Sequence, residues 1–156
     1  MHPPWLEPAE EESWRSFQFM QMRLTASLAR DLAESSGLSY QDYIVLVALT
    51  DSADGELRLF ELAQATGWEK SRMSRHVARM VERGLVSRRR CETDRRGSYV
   101  VVSMLGRREI AAAAPGHVAS VCRRFIDLLE ASQLAELGRI SRLVLEGLDR
   151  ENELEA

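Results

Sequence analysis

Lys70-Ser71-Arg72-Met73-Ser74-Arg75-His76-Val77-Ala78-Arg79-Met80-Val81-Glu82-Arg83-Gly84 is the stretch on which the reading of the fold turns. It contains no proline and ends on a glycine, the pattern of a helix with a C-terminal stop. At about 100° per residue, Arg72, Arg75, His76, Arg79 and Arg83 fall within roughly one 100° arc. Met73, Val77, Met80 and Val81 occupy a separate apolar arc. One side is therefore built to pack and the other carries four arginines. A solvated surface helix would instead mix signs at i, i+4 spacing. Glu82, the only acid in the stretch, lies off the arginine arc. Four like charges that close repel each other, and a polyanion would relieve that cost.

The flanks of this helix, taken as 70–83, set its context. Upstream, Leu59, Leu62 and Ala63 mark a short helix over about 58–66, and Gly67 separates it from the next. Two short helices joined by a glycine-bearing turn form a helix-turn-helix unit. Downstream of Gly84 the period changes from helix to strand. Leu85-Val86-Ser87-Arg88-Arg89-Arg90-Cys91 and Tyr99-Val100-Val101-Val102-Ser103 enclose a charged, glycine-containing loop, which predicts a β-hairpin wing over 85–103.

Farther out the chain reads as helix. Trp14, Phe17, Leu24, Leu28 and Leu32 recur at helical steps, and Ser36-Gly37 ends that run. Ser39 and Asp42 then open a helix through Tyr43-Ile44-Val45-Leu46-Val47-Ala48-Leu49, apolar on nearly all sides and so destined for a core. Ser103 caps a further helix that Pro115-Gly116 is expected to kink or break. Apolar periodicity resumes from Val118 to Leu129, stops near Ala131-Ser132, and returns in a last helix from Leu134 to Leu148. The fold class is thus mainly α with a small β-wing: a winged helix-turn-helix over 37–104 with additional N- and C-terminal helices. The terminal stripes are longer than a winged helix of about 65 residues can cover, which implies a partner. Helices at 13–36 and 115–150 are expected to form a dimerisation region, within a single domain spanning 1–156.

Length and charge agree with this organisation. A chain of 156 residues suits one domain with helical extensions. No apolar run approaches the 18 to 20 residues, roughly, of a membrane span, and residues 1–12 lack a secretory signal pattern, so a cytoplasmic location is expected. The net charge of -3 disfavours a nucleic-acid partner only until it is mapped. Residues 67–108 hold twelve basic against four acidic side chains, an excess of eight, while the rest holds nine basic against twenty acidic. A basic segment within an acidic body is the footprint of a protein that meets a polyanion on one face.

A helix of this width fits the major groove of B-DNA, where arginine donates two hydrogen bonds to guanine. Arg72, Arg75 and Arg79, near the start of the helix, are the expected base readers, with Ser71 and Ser74 able to meet base or phosphate. Lys70 and Arg83 are expected at phosphate, and His76, on the same arc, is a further candidate donor. At the wing tip, Arg95 and Arg96 are placed to enter a minor groove, with Asp94 holding the loop in shape.

Together, Leu59-Phe60-Glu61-Leu62-Ala63 through Gly67, Ser71-Arg72-Met73-Ser74-Arg75-His76-Val77, Glu82-Arg83-Gly84-Leu85-Val86, Asp94-Arg95-Arg96-Gly97, and Val100-Val101-Val102-Ser103 with Gly106 resemble the MarR family of winged-helix regulators. The likeness covers nearly the whole chain. It implies a homodimer joined through its first and last helices, a recognition helix at about 70–83, a wing-tip arginine at Arg95 or Arg96 and a wing-supporting aspartate at Asp94. Ser103 stands where the family usually has threonine. The resemblance also implies release of DNA on binding a small aromatic or lipophilic molecule, and Trp14, Phe17 and Tyr43 are candidate lining residues. A two-fold dimer should read a pseudo-palindromic operator with half-sites about one helical turn apart. The expected function is that of a sequence-specific double-stranded DNA-binding transcriptional regulator, a repressor relieved by its effector.

Other classes fit less well. The three histidines, His2, His76 and His117, show no metal-ligand spacing, and there is no nucleophile motif or phosphate-cradling glycine loop, so neither enzyme activity nor a cofactor is expected. Cys91, beside Arg88, Arg89 and Arg90, leaves open a thiol-based redox-sensing regulator, since cationic surroundings lower a thiol pKa. Cys122 lies on an apolar stripe and reads as core. A winged-helix module that binds protein instead of DNA is the third alternative.

Overall fold

The computed structural model describes residues 5–90 and 97–155, with side chains described through residue 151. Among them are six α-helices, one short 3-10 turn and three strands, in the order α1 (Pro8–Ser36), α2 (Tyr40–Asp51), β1 (Glu56–Arg58), α3 (Leu59–Thr66), α4 (Lys70–Glu82), β2 (Val86–Arg90), β3 (Ser98–Val102), α5 (Met104–Arg124), the 3-10 turn (Ile126–Leu128) and α6 (Ala131–Glu155). The chain divides into two compact units, 1–118 and 119–156.

The first unit holds the helix-turn-helix and the wing. Its core is built where the apolar sides of α2, α3 and α4 meet the inner residues of the sheet: Val45, Leu46, Leu49, Leu62, Met73, Val77, Met80 and Val100 are all fully buried. Leu32, near the end of α1, joins the same core. Burial of side chains this size stabilises by about 1.5 to 3 kcal/mol each, which makes this cluster the main source of the unit's stability. Local signals set the helix ends. Ser39 Oγ accepts the Asp42 backbone N–H at 3.0 Å while Asp42 accepts the Ser39 N–H at 3.1 Å, a reciprocal capping box that fixes the start of α2.

The sheet has the order β1-β3-β2, antiparallel throughout. Val86 faces Val102, and Arg88 faces Val100. The hairpin expected from the sequence is present at β2 and β3. Strand β1, where Leu57 faces Val100, adds an edge that three residues are too short to announce by periodicity.

Ser103 ties the sheet to the helix that follows it. Its hydroxyl accepts the Gly106 N–H at 2.9 Å, capping α5 as expected, and lies within donating reach of the Gly84 and Leu85 carbonyls at 2.6 and 2.9 Å. Gly106 is required there, because a Cβ would stand 2.2 Å from the Leu85 carbonyl oxygen.

Two boundaries differ from the sequence reading. Helix α5 runs through Pro115 without a break. Proline removes one N–H and crowds the carbonyl four residues earlier, but here that carbonyl belongs to Ala111, in an alanine run of high helix propensity. In the second unit the interruption falls at Phe125–Glu130, not at Ala131-Ser132: Phe125 leaves helical geometry at φ -140° and Leu129 is extended. Gln133 Oε1 accepts the Glu130 N–H at 2.8 Å and starts α6 at Ala131. Within α6, Ile140, Leu143, Val144, Leu145 and Leu148 are exposed. Among the described residues no helix is long and apolar enough to cross a membrane.

Candidate nucleic-acid interface

Gly67 adopts φ 66° and turns the chain between α3 and α4, while the Trp68 N–H returns to the Ala63 carbonyl at 2.9 Å. Only glycine takes that left-handed conformation without strain. The turn presents α4 with one side on the core and the other in solvent. Met73, Val77 and Met80 are buried, and Lys70, Ser71, Arg72, Arg75 and Arg79 are exposed. The two arcs read from the sequence are therefore both real, with one exchange between them. Val81 is 38% exposed, and His76 is 8% exposed and belongs to the buried side.

His76 is thus corrected from the outer arc to an internal contact. The reason is Asp42 on α2, a carboxylate 1% exposed. Its Oδ1 stands 3.1 Å from His76 Nε2, at ion-pair distance though off the line of a hydrogen bond. Its Oδ2 accepts Arg83 Nη1 at 2.7 Å. A buried carboxylate must be compensated, and α4 and the residue that caps its C-terminus supply the two partners. Burial pushes the Asp42 carboxyl up, but His76, Arg83 and Ser39 outweigh it and hold it well below the usual carboxylate range. Arg83 is consequently tied to the body, while its side chain stays 47% exposed.

His76 Nδ1 lies 3.2 Å from Arg79 Nη2, and the ring meets Trp68 edge-on with centroids 5.4 Å apart. Arg72 places its guanidinium over the other part of this arrangement, 4.3 Å from the Trp68 ring centroid. A cavity of about 430 Å³ opens here, with Asp42 and His76 beneath and Trp68, Arg72, Arg79 and Arg83 around it. Ser74 is half-buried, and Arg88 on β2 donates to its carbonyl at 2.7 Å and reaches its hydroxyl at 3.2 Å. The base of the wing is thereby bonded to the middle of α4. Arg89 pairs with Glu56 of β1 and stands 4.4 Å over the Tyr99 ring. Asp42, Trp68 and Arg88 were not among the expected site residues. A capping aspartate reads as a local device, and nothing in its spacing reports the partners that α4 and its C-terminal cap bring to it.

The geometry is that of a winged helix-turn-helix with a cationic outer face. AbsC, a MarR family transcriptional regulator from Streptomyces coelicolor, is 39% identical over 94% of this chain and 99% of its own, with a TM-score of 0.86. The chain belongs to the MarR family. The MarR family sequence model matches residues 36–97, the segment from the end of α1 to the wing. Sco3205, a MarR family regulator of the same organism solved in complex with DNA, is 36% identical over 94% of this chain and 92% of its own, with a TM-score of 0.88. CouR from Rhodococcus jostii RHA1, bound to p-coumaroyl-CoA, shares the fold at 22% identity and a TM-score of 0.71, covering 81% of this chain and 87% of its own. No curated protein sequence matches. As a MarR family member the protein is a DNA-binding transcriptional regulator and not an enzyme.

The remaining expected residues of this MarR protein divide by position. Cys91, Asp94, Arg95 and Arg96 lie outside the described residues. Cys122 is a free thiol, half-buried rather than core. The three aromatic residues expected to line an effector site do not converge. Trp14 and Phe17 stack on each other along α1, centroids 5.9 Å apart, and stay about half exposed. Tyr43 instead packs on His117 of α5 at 4.4 Å, with Tyr40 at 6.1 Å from the same ring. His117 Nδ1 is buried without a hydrogen-bond partner among the described residues, and burial pushes its pKa down. Among the described residues no group of three or more His, Cys, Asp or Glu is placed to hold a metal ion.

Proposed function

We propose that this MarR family regulator is a cytoplasmic homodimeric repressor that reads a pseudo-palindromic DNA operator through α4 and releases it when a small aromatic or lipophilic effector binds. The observation that carries the reading is the division of α4: Met73, Val77 and Met80 are spent on the core, which leaves Arg72, Arg75 and Arg79 together on the exposed side. Arg72 and Arg75 read base edges, Arg79 reads the next turn, and Lys70, Ser71 and Ser74 contact base or phosphate. Arg83 offers its exposed half to a backbone phosphate. Arg95 and Arg96 enter the minor groove from the wing, supported by Asp94. The dimer is supported by the apolar residues that α1 and α6 leave in solvent, Phe19, Met22, Leu143 and Leu148 among them. Tyr40, Tyr43 and His117 are the place for an aromatic effector, since two phenol rings adjoin a buried nitrogen without a partner.

Selection of bound sequences from random DNA tests this reading. An enriched pseudo-palindrome with half-sites about one helical turn apart is expected, with log affinity falling steeply against log salt as several phosphates are neutralised. The absence of any enriched palindrome at low salt would overturn it. The selected site then serves to find the effector, as the small molecule that releases it.

A further inference from the structure

The outer arginines of α4 are not equivalent in what holds them. Arg72 rests over the Trp68 ring, 4.3 Å from its centroid. Trp68 is itself fixed on three sides. Its backbone N–H bonds the Ala63 carbonyl at 2.9 Å, its ring packs against the core cluster, and it meets the His76 ring in a T-shaped contact at 85°. His76 is held in turn by Asp42 at 3.1 Å and by Arg79 at 3.2 Å. A line of contacts thus runs from a buried carboxylate through an imidazole and an indole to one guanidinium at the protein surface. We infer that Trp68 is a positioning residue for sequence readout, which fixes the Arg72 guanidinium over its ring before DNA arrives. This rests on the proposed role of Arg72 as a base reader.

The chemistry permits both contacts at once. A guanidinium is planar, so its face can lie on an aromatic ring while the N–H groups at its edge donate to the N7 and O6 of guanine. Ordering a long side chain in advance removes a cost otherwise met on binding. It also restricts the directions in which the two donors point, so a base that does not offer two acceptors there is refused more strongly. A flexible arginine would bind phosphate and base alike. Trp68 therefore acts on selectivity more than on overall affinity.

Trp68→Leu and Arg72→Ala, singly and together, provide the test, read as the ratio of affinities for the selected operator and a scrambled duplex, with thermal unfolding measured alongside. Trp68→Leu should lower the ratio about tenfold, the size expected for one side chain's ordering and a cation–π contact combined. It should lower it no further in the Arg72→Ala background, since contacting residues couple. Trp68→Phe, which keeps a ring face but lacks the indole N–H, should retain most of the selectivity. If Trp68→Leu fails to fold, Trp68→Gln replaces it, as the position is half-exposed. Additive losses in the double variant, an unchanged ratio in Trp68→Leu, or a Trp68→Phe protein as unselective as Trp68→Leu would each overturn the positioning role. A wild-type protein that enriches no sequence, or an Arg72→Ala protein that keeps full selectivity, would instead overturn the base-reader assignment on which it rests.

Discussion

Helix α4 and the terminal helices α1 and α6 treat their apolar residues in opposite ways. Across its 13 residues α4 buries Met73, Val77 and Met80 completely. Helix α1, with 29 residues, buries only Leu28 and Leu32, and leaves Trp14, Phe17, Phe19 and Met22 at 44% to 65% exposure. Helix α6 keeps Leu143, Val144, Leu145 and Leu148 more than half exposed. Hydrophobic content does not separate these helices, whereas the share of each apolar side that is covered does. The contrast separates a helix whose apolar side is covered within the chain from helices whose apolar side is not, and exposed apolar surface of this extent is what supports the proposed dimer.

The largest expected effect lies on the incomplete side. Leu143→Lys combined with Leu148→Lys should produce monomers in analytical ultracentrifugation and weaken operator binding roughly a thousandfold, because two linked half-site contacts become independent. A doubly substituted protein that stays dimeric would place the exposed face of α6 outside the dimer contact and break the contrast.

On the complete side, Asp42→Ala should cost about 3 kcal/mol in chemical unfolding, since it strands His76 and Arg83 against an emptied site. The oligomeric state should be unchanged. A loss below about 0.5 kcal/mol, the scale of ordinary surface substitutions, would mean that solvent already screens the cluster. A smaller effect, and one confined to DNA, is expected on the outer face. Arg75→Ala should weaken operator binding by about 1 to 2 kcal/mol and relax base preference, with thermal stability intact. Arg83→Ala should weaken all sequences alike and also lower stability, because the same side chain holds Asp42. Equal and non-selective losses at both arginines would remove the distinction between readers and anchors.

Acid should expose the smallest of these effects. His117 titrates below the usual histidine value in the folded chain, so under about pH 6.5 the unfolded chain takes up a proton that the folded one resists, and stability declines. Asp42 titrates below the usual carboxylate range, so its contribution is complete above about pH 4 and is lost as pH falls toward its depressed value. Unfolding measured against pH should show a shallow decline near pH 6 that His117→Phe removes, and a steeper one in strong acid that Asp42→Asn removes. A decline near pH 6 that survives His117→Phe would assign it to another group.

Both sides of this contrast are plain in the sequence, and what it blurs are the contacts between elements. Binary patterning placed Met73, Val77 and Met80 inward and the arginines outward because a helix repeats its faces every few residues. The long apolar runs of the terminal helices were equally legible as unsatisfied surface. His76 was misjudged because a residue near the border of two arcs is assigned by whatever faces it, and Asp42 comes from a different helix. Its capping pair with Ser39 is legible, yet Oδ2 accepts Arg83 as well as the Ser39 N–H, and Oδ1 faces His76. Strand β1 escaped because three residues carry no period. Of the kink or break expected at Pro115-Gly116, the break is absent, because the alanines before the proline keep α5 continuous.

The Ser103 hydroxyl brings three elements together at a single atom. It caps the start of α5, stands at the end of β3, and reaches the two carbonyls that follow α4. Removing that one oxygen would leave the Gly106 N–H uncapped and take a donor from the Gly84 and Leu85 carbonyls together, so a single small side chain serves both the entry to α5 and the exit from α4.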